Sequence, residues 1–493
     1  MKKIIKLYIS AFILIIISCC SNKNDNFTPT ASLEIQDFVW KGLNTYYLWK
    51  NDVPNLNDSR FSSDKEYSDY LSDYPQPEDL FESLIYNRST TDKWSWIVDD
   101  YIDLENSFSG ISTSNGMEYG LTYEANSTTD IFGYVRYVLP NTDAANKGVK
   151  RGDVFDAING VQLTINNYKE LLSLDSYTLN FADINGGNPT SNNTSANLVK
   201  SEYQENPVYI VKTIDVDGTK IGYLMYNSFT SNYDVDLNNA FAQLKNEGAT
   251  ELVLDLRYNG GGDIKTAVYL SQMITGQFTG ELFAKERWND EIQEWFENNE
   301  PTYLVNNFVD RIRKYNDDDE LIVDDFISSL NLTRLYVLTS GSSASASELV
   351  INGLNPYIDV VTIGTTTFGK YTGSITLYDS DDFSKDGDNF NQNHTWAMQP
   401  IVLETLNKVG ENSPSGFTPT HELIDYIDLM QPLGDKSEPL LAKAISLITG
   451  ASTKSKARVS SFEVRDFKNS NSFKPFGNEM YVDKKLPLSL FIK

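Results

Sequence analysis

Cysteine and histidine are nearly absent from this chain. Its 493 residues include two cysteines, Cys19 and Cys20, and two histidines, His394 and His421. Past residue 20 there is no thiol, which excludes a disulfide, a thiol nucleophile and a cysteine-ligated metal in the body of the protein. A histidine-rich metal site is excluded too, and a Ser-His-Asp triad would have to draw on His394 or His421. Positive charge is also scarce, with 41 Lys and Arg against 68 Asp and Glu and a net charge of −27. A phosphate-binding surface needs a basic stripe, and none is present, so nucleic acid is excluded as a partner. The acidic balance, with a pI near 4.5, instead describes a solvated surface. Long apolar runs are missing except near the start, where residues 7–17 are too few to span a bilayer comfortably. An apolar fraction of 40% nevertheless suffices for a substantial core, and the length allows two or three domains.

What is present begins with that N-terminal run. Lys2, Lys3 and Lys6 precede it and small residues follow, the layout of an export signal. Ile16-Ile17-Ser18-Cys19 resembles a bacterial lipobox, in which the cysteine is acylated and becomes the first residue after cleavage. The resemblance implies a lipoprotein signal peptide over 1–19, lipidation at Cys19, and a place in the bacterial cell envelope, anchored to a membrane, the outer one. Residues 20–33 are polar and read as a tether.

The remainder divides by pattern into a multidomain α+β and α/β protein. Residues 34–105 carry apolar and aromatic residues at helical spacing and predict a small helical domain. Over 106–200 the text turns to strands and tight turns. There "NTDAANKGVKRGDVFDAINGVQL" predicts a short helix at Ala144-Ala145, the strand "VFDAI" and a hairpin turn at Asn159-Gly160. This segment resembles a PDZ domain of the bacterial protease type. Such domains bind extended peptide ends at a sheet edge, and the resemblance puts the peptide-binding loop at Tyr119, Gly120 and Leu121. "NGGNPTSNNTSAN", 185–197, is apolar-poor and reads as a flexible excursion or linker. From 205 to 450, "KIGYLMYNSF", "ELVLDLR", "RLYVLTS" and "DVVTIG" read as buried strands alternating with helices, the signature of a parallel α/β layer. The acidic, aromatic stretch from Glu281 to Asp318 interrupts it as an insertion or lid, and 451–493 forms a β-rich extension.

Three pieces of the α/β region carry chemistry. "LDLRYNGGGD", 254–263, runs a buried strand into three glycines, which can bring backbone N–H groups close to a ligand. A phosphate loop would need Gly-Lys-Ser/Thr at its end, and Asp263-Ile264 stands there instead. "TSGSSASASELV", 339–350, holds five serines at a helix start, and Ser345 with Glu348 fits a capping box. A serine there could equally be a nucleophile with a helix dipole behind it. "GTTTFGKYTGS", 364–374, places Lys370 in a glycine-flanked and uncharged setting, where desolvation would depress its pKa and let it act as a base.

Together these motifs resemble the C-terminal processing peptidases, or tail-specific proteases, which combine a PDZ domain with a ClpP/crotonase-like, tricorn-like core. The resemblance covers roughly 108 to 430. It implies a serine endopeptidase with Ser345 as nucleophile and Lys370 as general base. The backbone N–H groups of Ala346 and Gly261 would form the oxyanion hole. No metal or other cofactor is implied, and the substrates would be proteins or peptides. Many relatives carry a lysine-orienting glutamine four residues after the lysine; here Ser374 stands there, with Thr372 nearby as a second candidate. Some carry an aspartate where this chain has Pro356. The rival expectation is a ligand- or peptide-binding lipoprotein built on the same fold without proteolysis.

Overall fold

The computed structural model describes residues 32–316, 320–450, 465–474 and 477–482. The expected export signal and the lipidation expected at Cys19 fall outside the described residues. Among the described residues no helix is long and apolar enough to cross a membrane. The protein is a mixed α+β molecule with a helical N-terminal region and a β-rich core.

Helices α1 (Glu34–Tyr46), α2 (Asp64–Ser72) and α3 (Pro77–Ser83) open the described chain. The α2 start is set by Ser63, whose hydroxyl accepts the Glu66 N–H. The expected N-terminal helices are present, and they share their core with the rest of the molecule. Phe38, Leu43, Tyr46 and Leu80 belong to one continuous apolar cluster with Leu224, Leu254, Val337 and Leu349 of the central α/β region. Phe383 from that region stacks on Phe38 at 6.3 Å and meets Tyr46 edge-on at 5.8 Å. The helices are too few to bury their own apolar face and use the larger core instead.

Next comes an antiparallel sheet built from β1 (Met117–Tyr123), β2 (Ile131–Val138), β3 (Val154–Ile158), β4 (Ser176–Asn185) and β5 (Asn188–Val199). The β3 hairpin turns on Asn159 (φ 52°) and Gly160 (φ 76°), both left-handed as a two-residue type I′ turn requires. Two expectations change here. Tyr119, Gly120 and Leu121 lie within β1, paired with β2, and do not form a loop. Residues 185–197 are no linker, because β5 pairs along nearly its whole length with β4. Backbone pairing needs no apolar side chains, and most of the β5 side chains are exposed or half-exposed.

The central layer is a six-stranded sheet. β6 (Val208–Val216) pairs antiparallel with β7 (Thr219–Tyr226), which continues in parallel register to β8 (Glu251–Asp255). After the glycine turn, Gly262–Asp263 forms the two-residue strand β9. Strand β10 (Leu282–Trp288) follows in a second sheet, and β11 (Arg334–Thr339) and β12 (Asp359–Gly364) complete the parallel run of the first. β13 (Thr372–Ser374) and β14 (Ile401–Asn407) join β9 and β10 in the second sheet. The stretch from Glu281 onward, expected as an insertion or lid, supplies β10 to this sheet and buries Trp288, Ile292 and Phe296.

Helices α4 (Asp234–Asn246), α5 (Ile264–Thr275), α6 (Ala346–Leu354) and α7 (Pro439–Thr449) pack on these layers. α6 is buried along its whole length. Beneath β8, Arg257 forms bidentate pairs with Asp255 and Glu438, tying α7 to the sheet. Arg151, beyond β2, donates to both oxygens of Asp425 (2.9 and 2.7 Å) and to the Tyr258 hydroxyl (2.7 Å), fastening the antiparallel sheet to the glycine turn's strand.

The last two described strands are β15 (Asp466–Asn469), on the edge of β1, and β16 (Met480–Tyr481), between β9 and β13.

Candidate active site

Strand β11 ends at Thr339, and the serine cluster fills the turn into α6. Four of the five hydroxyls are tied down. Ser340 donates to the Arg257 carbonyl, Ser343 to Leu256 (2.8 Å) and Ser347 to Asn259 (3.1 Å), while Ser342 accepts from Arg136 (2.9 Å). The fifth, Ser345 Oγ, is buried and makes no hydrogen bond of standard geometry. Ser345 is the N-cap of α6 at φ 65° and ψ −117°, a left-handed backbone that a residue with a Cβ adopts only under constraint. Such strain costs roughly 1–3 kcal/mol. The burial of Leu349, Val350, Ile351 and Leu354 on the helix that follows outweighs it, at roughly 1.5–3 kcal/mol for each side chain.

The glycine turn lies against this serine. Gly261 (φ 113°) and Gly262 (φ 135°) occupy backbone that favours glycine, and a Cβ on Gly261 would stand 2.5 Å from Ser345 Cβ. Ala346 begins α6, where the helix provides no acceptor for its N–H. The Gly261 N–H, the other expected oxyanion donor, is committed to Asn259 Oδ1 at 2.9 Å. In this arrangement Gly261 serves first as the point of close approach, and its amide becomes a donor only on leaving Asn259.

Lys370 is fully buried, but its setting is not the uncharged one its flanking residues suggest. Its Nζ pairs with the Glu479 carboxylate, which is itself almost fully buried, and lies 5.6 Å from the Trp94 ring centre. Burial pulls the Lys370 pKa down, and Glu479 opposes the shift without overcoming it. Burial likewise raises Glu479. Neither expected orienting residue reaches the amine. Ser374 Oγ instead contacts Glu479 Oε2 (3.5 Å), the Met480 carbonyl (3.1 Å) and Gln399 Nε2 (3.0 Å), and Thr372 Oγ1 is buried without a partner.

Two carboxylates therefore matter that sequence reasoning missed or undervalued. Glu348, expected only as the acidic half of a cap, accepts N–H groups from Ser345 (2.9 Å), Gly369 (2.7 Å) and Lys370 (2.8 Å) and the Thr367 hydroxyl (2.6 Å). One oxygen, Oε2, takes both the Ser345 and the Lys370 amides. The S-x-x-E spacing was its only signal. Glu479 lies 109 residues beyond Lys370, and nothing in its neighbourhood marked it. The histidines stay apart from this site: His394 pairs with Asp379 (3.0 Å) and His421 sits on a short strand beside β12.

Comparison with known proteins follows the same architecture. Residues 220–383 match the family model for peptidase family S41, and residues 34–96 match that for the peptidase S41 N-terminal domain. The chain is 24% identical over 273 residues to a chloroplastic C-terminal processing peptidase of Tetradesmus obliquus, covering 53% of this chain and 52% of the relative. It is 29% identical over 157 residues to a tail-specific protease of Haemophilus influenzae, covering 32% of this chain and 18% of the relative. The chain spans about half the length, or less, of these curated relatives. Among solved structures, a Bacteroides fragilis protein described as a candidate S41 protease aligns with a TM-score of 0.62 and 25% identity, over 84% of this chain and 97% of that one. The two family matches occupy the N-terminal helices and the sheet that carries Ser345 and Lys370, and in both regions the chain is similar to peptidase family S41 and to the C-terminal processing and tail-specific peptidases.

Proposed function

We propose that this protein is a serine endopeptidase of the bacterial cell envelope, anchored by a lipid at Cys19, that cleaves protein substrates with a Ser345-Lys370 dyad. The observation that carries the reading is the shared acceptor. A single oxygen of Glu348 receives the main-chain amides of both residues, so the free hydroxyl and the depressed amine are built from one junction.

In this reading Ser345 Oγ attacks the peptide carbonyl carbon while neutral Lys370 accepts its proton. The tetrahedral oxyanion forms against the Ala346 N–H and the glycine turn, with Gly261 as its second donor once released from Asn259. Collapse returns the proton from Lys370 to the leaving amine, and water then hydrolyses the acyl-serine ester by the same exchange. The sheet of residues 106–200 acts as a PDZ domain, capturing an extended segment by strand addition beside Gly120 and Leu121 on β1.

A fluorophosphonate probe tests the assignment. It should label Ser345 in the wild-type chain and fail in Ser345→Ala and Lys370→Ala. Ser345→Ala should lose on the order of 10⁶-fold in kcat on an unfolded protein substrate. Undiminished cleavage by Ser345→Ala would sink the proposal. A second reading, a peptide-binding lipoprotein on the same fold, is favoured by one observation: Ser345 and Lys370 are both 0% exposed. A folded chain that binds peptide but never labels, with or without residues 465–482, would establish it.

A further inference from the structure

Residues 465–474 and 477–482 follow a path that a peptide ligand would take, extended along the β1 edge, then through one helical turn at Ser470–Phe473, then extended again at Met480–Tyr481. β15 adds to the open edge of β1 in antiparallel register, with Asp466 opposite Thr122, Lys468 opposite Leu121 and Asn469 opposite Gly120. The Tyr119 N–H donates to Ser470 Oγ at 3.2 Å, and Lys474 Nζ reaches Glu118 at 2.8 Å. Phe467 and Phe473 fill apolar positions, packing on Tyr168 with ring centres 5.1 and 5.7 Å away. Main-chain pairing with alternate side chains in pockets is the general mode by which a sheet edge takes a peptide.

The segment then enters the cleft. The Gly477 carbonyl occupies the space that a Cβ on Gly260 would need. The Glu479 carbonyl stands 2.7 Å from the position of a Cβ on Gly261, the same position that lies 2.5 Å from Ser345 Cβ. β16 pairs in parallel with β9 through Met480 and Tyr481, and Tyr481 is also paired with Ser374 of β13. A two-residue strand is thus wedged between the glycine turn and the segment following the lysine. Met480 is fully buried there, and the Glu479 carboxylate sits on Lys370. With this segment in place Ser345 is fully buried.

We infer that residues 465–474 and 477–482 are a tethered occupant of the protein's own peptide-binding path, the first at the β1 edge and the second in the slot between β9 and β13, and that they shut the Ser345 site until another polypeptide displaces them. The ligand class that the path accepts is a polypeptide that pairs at the β1 edge, turns once and carries a carboxylate opposite Lys370. The shutting of a catalytic site rests on the peptidase reading above, whereas the occupancy stands without it. Because the occupant is part of the chain, a substrate competes against an effective concentration on the order of millimolar.

Met480→Asp in the full chain is the direct test, since it puts an unpaired carboxylate into a fully buried position and should expel β16. Fluorophosphonate labelling of Ser345 should then quicken about ten-fold or more. A chain ended at Gly450 should label as fast, should bind a fluorescent peptide of sequence 465–482 by anisotropy, and should slow again when that peptide is added. If both variants keep a native melting transition and label at the wild-type rate, the inference is overturned. It is equally overturned if the shortened chain is folded and the peptide fails to bind. If the shortened chain does not fold, Met480→Asp alone decides. If no chain labels at all, the peptidase reading fails, and peptide binding alone then upholds or overturns the occupancy.

Discussion

Among the described residues two cations, Arg257 and Lys370, are fully buried, and they are kept there in opposite ways. Arg257 faces two carboxylates through five hydrogen bonds of 2.7 to 3.3 Å, including the one from its own amide, and approaches a third at Asp425. Burial is the largest single influence on it and favours the neutral form, but Asp255, Glu438 and Asp425 together outweigh burial and keep the guanidinium charged. Lys370 has one carboxylate, Glu479, and burial prevails. Asp255 lies on β8, while Glu438 caps α7 and Tyr223 of β7 donates to Asp255 at 2.7 Å, so the Arg257 centre is held by the framework itself. Glu479 arrives on a separate segment that enters the cleft from the far end of the chain. A planar, permanently charged group with saturated partners is a strut; an ammonium with one removable partner can change its protonation.

The contrast can be broken most forcefully at Arg257. Arg257→Met leaves Asp255 and Glu438 buried without their counter-charge and should cost about 3–5 kcal/mol. A urea titration reads this as a lower midpoint, and a loss below about 1 kcal/mol, the worth of an exposed pair, would mean that the two cations are not distinct in kind. A smaller effect is expected at Glu348. In Glu348→Gln one end of the side chain becomes a donor facing N–H groups that now donate to it, a mismatch of about 1–3 kcal/mol. Ser345 labelling should slow by the corresponding 10- to 100-fold while circular dichroism stays unchanged. The smallest effect sharpens the Lys370 side of the comparison. Only the neutral amine can take a proton, so labelling should rise with pH through the depressed Lys370 pKa. Removing the opposing charge in Glu479→Gln lowers that pKa further, and the acid limb should move down by about 1 unit. An unshifted limb would show that Glu479 does not tune the lysine.

Much of the central fold was legible because buried parallel strands are written as continuous apolar runs. "IGYLMY", "LVLDL" and "LYVLT" became β7, β8 and β11 in the parallel sheet. The serine and glycine turns stood out because both interrupt those runs at strand ends. Residues 185–197 were misread because a strand exposed on one side is specified by its partner's backbone, and polar side chains disguise it. The stretch after Glu281 was misread as an insertion for a related reason: its apolar residues serve a second sheet that the local pattern does not announce. Lys370 could be singled out from its neighbours, but its surroundings could not, since Glu479 and Trp94 come from distant segments at opposite ends of the chain.

The Arg151 tie carries one more consequence. By joining the antiparallel sheet to Tyr258 and Asp425, it fixes the distance between the β1 edge and the glycine turn. Asn469 lies on that edge opposite Gly120, and Glu479 lies at the turn, so the span is ten residues of chain. In the peptidase reading proposed above, the pair of surfaces would act as a ruler for a chain that takes the same path with the same turn, and the position of a cut would be measured out by length before any side chain is read.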